Sequence, residues 1–367
     1  MTQSKKKIID IIAGTRPNFV KIASLFNQIN IISKIKKKYE FRLIHTGQHY
    51  DKMLSDTFFQ ELRIPKPNFS LNVGSGSHAF QTANIMKKYE KIILKKPPNL
   101  CIVVGDVNST IACAISAKKL GIKVAHIEAG LRSGDISMPE EINRILTDSI
   151  TDYFFTTSKL ANMNLLKNGI EKKNIFFVGN TMIDTLKNNL NKLKKPSLWE
   201  TNFLAVKSYY LLTLHRPSNV DDIKNLKKII SIIKKFKNEK FIFPVHPRTK
   251  KKLNQIRNFD KNLIISKPLS YFNFNYLLKN AKGIITDSGG ITEEATFFKV
   301  PCFTMRENTE RPETINVGSN VLIGNNYNLL KRSINEVNNN RWKKSKVPEK
   351  WDGKTAYRIL NIINKLI

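Results

Sequence analysis

At 367 residues with 41% hydrophobic content, the chain is long enough for two α/β domains with real cores. Its formal charge is +33, yet only 13 of the 62 basic residues are Arg, and the Lys are spread along the whole chain among abundant Asn and Ile. That dispersal points to a solvated basic surface and away from a specific nucleic-acid binder, which clusters Arg with aromatics on one face; no run of about 18 apolar residues is present to span a membrane.

The opening MTQSKKKIIDIIAG has an apolar run too short for a signal peptide and broken by Asp10, so it reads as a first buried strand, Ile8–Ala13. Gly14-Thr15-Arg16-Pro17-Asn18 then turns into a helix through Lys21, Ile22, Leu25 and Ile29. An Arg at such a turn either sits beside an anion at the helix N-terminus or is a plain surface residue. Phe41–His45 is a second strand, followed by Thr46-Gly47-Gln48-His49-Tyr50. A glycine-rich loop at 73–78 leads into a helix from Ala79 to about Lys96. The loop lacks the third Gly of a dinucleotide fingerprint and no strand feeds it, which argues against a nicotinamide site.

From Cys101 to Asp148 the pattern is β-α-β. The apolar run Cys101–Val104 ends in Gly105-Asp106, a helix capped by Asn108 or Ser109 follows, and Val124–Ile127 ends at Glu128. Glu140 comes just after Pro139, a residue favoured in the first turn of a helix. Ligands of parallel sheets bind beyond the carboxyl ends of the strands, so Asp106, Glu128 and Glu140 are expected to converge on one rim as a proton-transfer site. Further strands are read at Asp152–Thr157 and Ile175–Val178, and a helix at Asp184–Leu186.

Residues 187–205 are Lys/Asn-rich and read as a linker or domain edge. A second alternating set follows. Strands are read at Tyr209–Leu214, Phe241–Val245, Leu263–Ile265, Gly283–Thr286 and Pro301–Thr304, with helices near 222–237, at Tyr276–Leu278 and from Lys354 onward. Two successive doubly wound units are expected to enclose a cleft between the carboxyl ends of their sheets.

The second set carries Asp287-Ser288-Gly289-Gly290-Ile291-Thr292-Glu293-Glu294 between a strand and a helix. Capping accounts for Ser288 and one Glu, but the Gly pair fits backbone approach to a diphosphate, and Glu294 fits ribose hydroxyls. All six His lie at turns or strand ends: His45, His49, His78, His126, His215 and His246. His215-Arg216 and His246-Pro247-Arg248 could neutralise phosphate, whereas no HxxxH or HxH spacing supports a metal. Arg306 and Arg311 bracket Glu307–Glu310 as a further candidate clamp. Cys101, Cys113 and Cys302 form no CxxC pair, which points to a reducing, cytoplasmic setting and no structural metal.

In order along the chain stand GTRPNFVKIA, TGQHYD, GDVNST, HIEAGLRSGD, PEEINR, GNTMIDTL, LHRPSN, PVHPRT, DSGGITEEA, MRENTERPET and DGKTAYRI. Together these resemble the non-hydrolysing UDP-N-acetylglucosamine 2-epimerase family over nearly the whole length, with Pro17 favouring that branch over the hydrolysing one. The resemblance implies a GT-B fold with two Rossmann-like domains, here 1–180 and 181–353, and a last helix (about 354–367) packing back on the first. It implies a homodimer that needs no redox cofactor, takes a UDP-sugar, and serves polysaccharide biosynthesis. The family eliminates UDP from UDP-GlcNAc with loss of the C2 proton, forming 2-acetamidoglucal, then returns UDP and the proton to give UDP-ManNAc. By resemblance Asp106, Glu128 and Glu140 carry proton transfer, with base and acid unassigned, and His215 assists at the diphosphate. Arg16, Lys21, His246, Phe274, Ser288, Gly289, Gly290, Glu294 and Arg311 match UDP-binding positions. Phe274 is either a uracil platform or a core aromatic. Asn18 and Ser218 stand where many members have Glu. Asp51 replaces the Gln of allosterically activated bacterial members, though Gln48 and His49 agree with them. An epimerase of a diacetamido uronic acid nucleotide and a GT-B glycosyltransferase are the alternatives.

Overall fold

The computed structural model describes residues 6–48, 59–245, 247–256 and 259–367, with only the backbone described at 217, 218, 247 and 248. The chain forms two compact units, Met1–Asn188 with Glu349–Ile367, and Asn189–Pro348.

In the first unit strands β1 (Lys7–Ala13), β2 (Tyr39–His45), β3 (Phe69–Ser70), β4 (Leu100–Val104), β5 (Lys123–Ile127), β6 (Tyr153–Thr156) and β7 (Ile175–Phe177) form one sheet of order β3-β2-β1-β4-β5-β6-β7. Every pairing is parallel. Helices α1 (Arg16–Ile31), α2 (His78–Lys95), α3 (Asn108–Lys119), α4 (Pro139–Ile150), α5 (Lys159–Lys167) and α6 (Thr181–Asn188) make the connections. Helices over both faces explain why β4 is an unbroken apolar run with all five residues buried. Asp10, the charge that interrupts the first apolar run, is fully buried, 2.5 Å from Arg42 Nε and 2.9 Å from the Tyr89 hydroxyl. Burial pushes its carboxyl up despite these partners.

The second unit repeats the plan. Strands β8 (Tyr209–Thr213), β9 (Lys240–Pro244), β10 (Leu263–Ser266), β11 (Gly283–Thr286), β12 (Cys302–Thr304) and β13 (Asn320–Leu322) lie parallel in the order β10-β9-β8-β11-β12-β13. Helices α7 (Ile223–Lys235), α8 (Tyr271–Asn280), α9 (Gly289–Phe298) and α10 (Tyr327–Asn338) cover it. In α7, Leu226, Ile229, Ile230 and Ile233 recur at helical spacing and pack with Tyr210, Phe241 and Phe243 from the strands.

Both sheets therefore have the expected α/β doubly wound class, and both reverse strand order once, between β1 and β4 and between β8 and β11. The last helix, α11 (Thr355–Leu366), buries Ala356, Ile359, Leu360 and Ile363 within the first unit, where it packs on α1 and α6. Its N-terminus is held by a side chain of α6: Ala356 N–H donates to Asp184 Oδ2 at 2.8 Å. Helix α6 itself packs along α1, so residues 181–188 belong to the first unit although the sequence reading gave them to the second.

Three local expectations change. Neither Asn108 nor Ser109 caps α3, because Val107 occupies the cap position and both polar residues lie inside the helix. The Gln48 side chain substitutes from outside, its Oε1 accepting from Ser109 N at 3.2 Å and Ser109 Oγ at 2.9 Å. Strand β13 and helix α10 were not anticipated; Asn320 and Asn326 mask one as a loop and open the other, Asn326 accepting from Leu329 N at 2.9 Å.

Candidate active site

The order reversals select the places to look, because the crevice beyond the strand ends opens there. In the first unit these ends carry Gly14-Thr15-Arg16 after β1 and Gly105-Asp106 after β4, with Glu128 after the adjoining β5. In the second they carry His215-Arg216 after β8 and Asp287-Ser288-Gly289 after β11.

Asp106 and Glu128 are brought together by the pairing of Val104 with Ile127. Each acid has a cation. Lys21 Nζ from α1 lies 2.5 Å from Glu128 Oε2, with the two side chains 11% and 3% exposed. Arg144 from α4 bonds Asp106 Oδ2 through Nη2 and Glu141 Oε2 through Nη1, the latter at 2.7 Å. The two pairs are neighbours: a Cβ on Gly105 would stand 3.1 Å from Lys21 Nζ and 3.6 Å from Glu128 Oε2. Gly105 also has φ +70°, a conformation that disfavours any side chain.

Glu128 is itself left-handed at φ +74°, a conformation that costs a non-glycine residue about 1–2 kcal/mol. Neighbouring bonds impose it. The Glu128 and Ala129 N–H groups both donate to the Phe155 carbonyl, at 3.0 and 3.2 Å. Gly130 N–H donates to Asp148 Oδ2 at 3.0 Å. The result turns the chain sharply off β5 and presents the carboxylate at its end.

Glu140, second residue of α4, is half-buried, as is Asp106. Its neighbour Glu141 is the one drawn inside, at 2% exposed, accepting from Ser133 N, Ser133 Oγ and Gly134 N as well as Arg144. Burial works against ionisation of Glu141, but these donors outweigh it and hold its carboxyl low. Glu141 braces the 131–135 turn. Asn143 adds a bond from Nδ2 to the Asp106 carbonyl at 2.9 Å.

Asn18 accepts from Gly14 N, Thr15 N and Thr15 Oγ1 and donates through Nδ2 to the Val104 carbonyl at 3.0 Å. A carboxylate cannot make that last bond, so Asn ties the first turn of α1 to the end of β4. Arg16 is exposed at the first residue of α1. Gln48 is buried and internally engaged, its carbonyl also accepting from Gln81 Nε2 at 3.2 Å.

In the second unit the buried Asp287 accepts from His215 N, Arg216 N and Asn219 Nδ2, and lies 3.0 Å from His215 Nδ1. Burial opposes its charge, and the His215 contact leads the donors that nonetheless lower its carboxyl. Asp287 thereby orients a ring that is 50% exposed. Ser288 stands at the cap position of α9 without making a side-chain cap bond, and Gly289 and Gly290 form the first turn. The Arg306–Glu310 pair, 2.8 Å apart, lies against Gly289. Arg311 Nε is 2.7 Å from Glu293 Oε1, both buried. Glu294 Oε1 accepts from the Tyr271 hydroxyl at 2.8 Å. Phe274 is half-buried with one side on the Trp199–Leu277 core, which satisfies part of its core reading and leaves part of the ring outward.

His45 and His126 are both buried within the first unit. Burial lowers the His45 imidazole, which stacks on Phe19 at 5.1 Å. His126 is wholly enclosed, with Nδ1 2.8 Å from Asp148 Oδ1 and Nε2 2.8 Å from the Gly105 carbonyl. His78 opens α2 beside Asn108. His49, His246 and Asp51 lie outside the described residues. Sequence reasoning missed Arg144, Glu141 and Asp148. Their four-residue and three-residue spacings on α4 were the available signal, since 141, 144 and 148 fall on one helical face. Among the described residues no group of three His, Cys, Asp or Glu side chains could hold a metal ion, and no helix is long and apolar enough to cross a membrane.

A two-unit parallel α/β enzyme, with carboxylates paired to cations at one order reversal and a glycine-opened helix with an Asp-oriented His at the other, is the class these features define. Comparison with known proteins narrows it. Residues 33–364 match the family model of UDP-N-acetylglucosamine 2-epimerase, and the chain belongs to that family. A UDP-N-acetylglucosamine 2-epimerase homolog from Methanococcus maripaludis is 48% identical over 340 residues, covering 90% of this chain and 92% of that one. The crystal structure of Methanocaldococcus jannaschii UDP-GlcNAc 2-epimerase in complex with UDP-GlcNAc and UDP superposes with a TM-score of 0.86 at 42% identity, covering 98% and 99% of the two chains. The UDP-2,3-diacetamido-2,3-dideoxy-D-glucuronate 2-epimerase of Pseudomonas aeruginosa is 38% identical over 322 residues, 87% of this chain and 88% of that one. The protein is thus an epimerase with the GT-B-like fold of its relatives.

Proposed function

We propose that the protein interconverts UDP-GlcNAc and UDP-ManNAc by eliminating and re-adding UDP through 2-acetamidoglucal. C1 of the substrate is an acetal carbon, so the C2 proton is not acidic and cannot simply be abstracted. Departure of UDP together with loss of that proton avoids the barrier. It needs carboxylates to move the proton and donors to accept charge on the diphosphate. Asp106, Glu128 and Glu140 are assigned the proton traffic, and His215 the diphosphate. Arg16, Lys21, His246, Phe274, Ser288, Gly289, Gly290, Glu294 and Arg311 are assigned to UDP-sugar binding. Gln48 and His49 are assigned an allosteric role, with Gln48 acting through the Ser109 end of α3 that it caps.

The observation that carries the reading is the pair of carboxylates, Asp106 and Glu128, on adjacent strand ends, each with its own cation. A lone ion pair could be structural, but two such pairs flanking one glycine turn match a site that moves a proton between faces. The 38% identity to the diacetamido-glucuronate enzyme supports one rival substrate.

Incubation with UDP-GlcNAc in deuterated water tests this. Expected is UDP-ManNAc with deuterium at C2. Epimerisation without deuterium overturns the mechanism, and turnover of the uronic analogue alone replaces the substrate.

The reading includes a cytoplasmic homodimer serving polysaccharide synthesis. Helix α4 supports the dimer, for its amphipathicity is inverted: Glu141, Arg144, Thr147 and Asp148 are buried, while Ile142, Ile145 and Leu146 are 37–48% exposed. An outward apolar stripe on a helix whose polar face is committed to the interior fits a second copy of the chain. Three free, buried thiols fit a reducing compartment.

A further inference from the structure

Asp148 stands behind all three segments that carry the assigned acids. Its Oδ1 meets His126 Nδ1 at 2.8 Å, and His126 Nε2 meets the Gly105 carbonyl at 2.8 Å, one residue before Asp106. Its Oδ2 accepts from Gly130 N at 3.0 Å, which closes the left-handed turn begun by Glu128. Asp148 itself lies on α4, whose first turn holds Glu140 and whose next turn holds Asn143 and Arg144, both bonded to Asp106. Arg132 Nη1 adds a bond at 2.7 Å.

The hydrogen-bond inventory constrains the form of the histidine. A peptide carbonyl only accepts, and so does an ionised carboxylate. Both ring nitrogens of His126 face such groups inside a site with 0% exposure of the histidine, a geometry that suits a ring donating from both nitrogens. Burial alone would raise the Asp148 carboxyl; the His126 and Arg132 contacts outweigh it and hold it ionised. Gly130 admits no side chain here, because its φ is +77° and a Cβ at that position would stand 2.3 Å from the Ala161 carbonyl oxygen.

We propose that Asp148, acting through a His126 imidazolium, is the positioning residue that sets the Gly105-Asp106 turn, the Glu128 turn and α4 in one geometry. Both side chains are buried. The inference rests on the assignment of Asp106, Glu128 and Glu140 to proton transfer, since it states what holds them in register. A misplacement of about 1 Å costs a reaction of this kind about 100-fold.

Two measurements test it. Nitrogen NMR of the histidine-labelled wild-type protein, with His126→Gln assigning the signal, is expected to show both His126 ring nitrogens protonated where the enzyme is active; a singly protonated ring overturns the relay. Asp148→Asn is expected to lower kcat about 100-fold with KM for UDP-GlcNAc and the Kd of UDP changed less than about threefold. An unchanged kcat overturns the proposal, as does a loss confined to KM. Should that variant not fold, the wild-type nitrogen spectrum decides alone. Asp106→Asn, Glu128→Gln and Glu140→Gln run alongside. If they stay active, the acid assignment is what fails; if they are inactive while Asp148→Asn turns over normally, only the positioning role fails.

Discussion

Replacing Lys21 with Met keeps the aliphatic stem and removes the charge facing Glu128. The Nζ to Oε2 distance is 2.5 Å and the carboxylate is 3% exposed. At an effective dielectric of about 20 the gross attraction at that distance is about 7 kcal/mol. Desolvating the two ions consumes several kcal/mol each, so the pair contributes little net stability. Breaking it by removing one member is different, because the other charge stays buried in the turn between β5 and Gly130; that costs about 3–5 kcal/mol. Lys21→Met should therefore unfold at lower urea and lose turnover at least about 100-fold, since the charge is also lost from the proposed reacting site. The double variant Lys21→Met/Glu128→Gln should recover about 1–3 kcal/mol of stability relative to the sum of the single changes, while remaining inactive. Urea titrations of the four proteins, with UDP-GlcNAc turnover measured in parallel, decide the matter. A single variant within about 0.5 kcal/mol of wild type, or an additive double variant, would refute the reasoning.

Asp106→Asn, Glu128→Gln and Glu140→Gln should each reduce turnover at least about 100-fold in a coupled epimerase assay, and near-normal rates in all three would dissolve the proton-transfer assignment. Asp184, whose carboxyl is pushed up to about 6, first by burial, makes stability fall with pH. Its folded value exceeds the unfolded one, so its contribution is present below about pH 4 and lost as pH rises through about 6, for a total of about 3 kcal/mol. Asp184→Asn should remove that slope, narrowing the gap to wild type or passing it at pH 7.5 compared with pH 5 in urea melts. Ile145→Lys, on the outward stripe of α4, should convert the proposed dimer to monomers in sedimentation velocity while leaving the fold intact by circular dichroism. A dimer of unchanged affinity would move the interface elsewhere.

Much of the architecture was legible because it depends on near neighbours in the chain. A strand buried on both faces must be an apolar run, and Gly105, Gly289 and Pro139 punctuate such runs by backbone restrictions that act within a residue or two. Hence β4, β5 and β11 and the turns after them were placed closely from composition and spacing. Where local signals conflicted, the reading failed. Asn320 conceals the edge strand β13, and residues 181–188 carry nothing in their own sequence that says which unit they join.

Residue types at the site were likewise visible as acids, His and Gly at strand ends, but their partners were not. Lys21 and Glu128 are 107 residues apart, and Arg144 and Asp106 are 38 apart. Those meetings follow from strand order and from how α1 and α4 lie on the sheet. His126 shows the limit most plainly. By sequence it was one of six similar histidines; by structure it is enclosed between a carbonyl and a carboxylate. Side-chain chemistry is carried by the sequence, whereas which groups are buried, opposed and hydrogen-bonded is a property of long-range register. Only the folded chain determines that, because burial sets the strength of every charge it encloses.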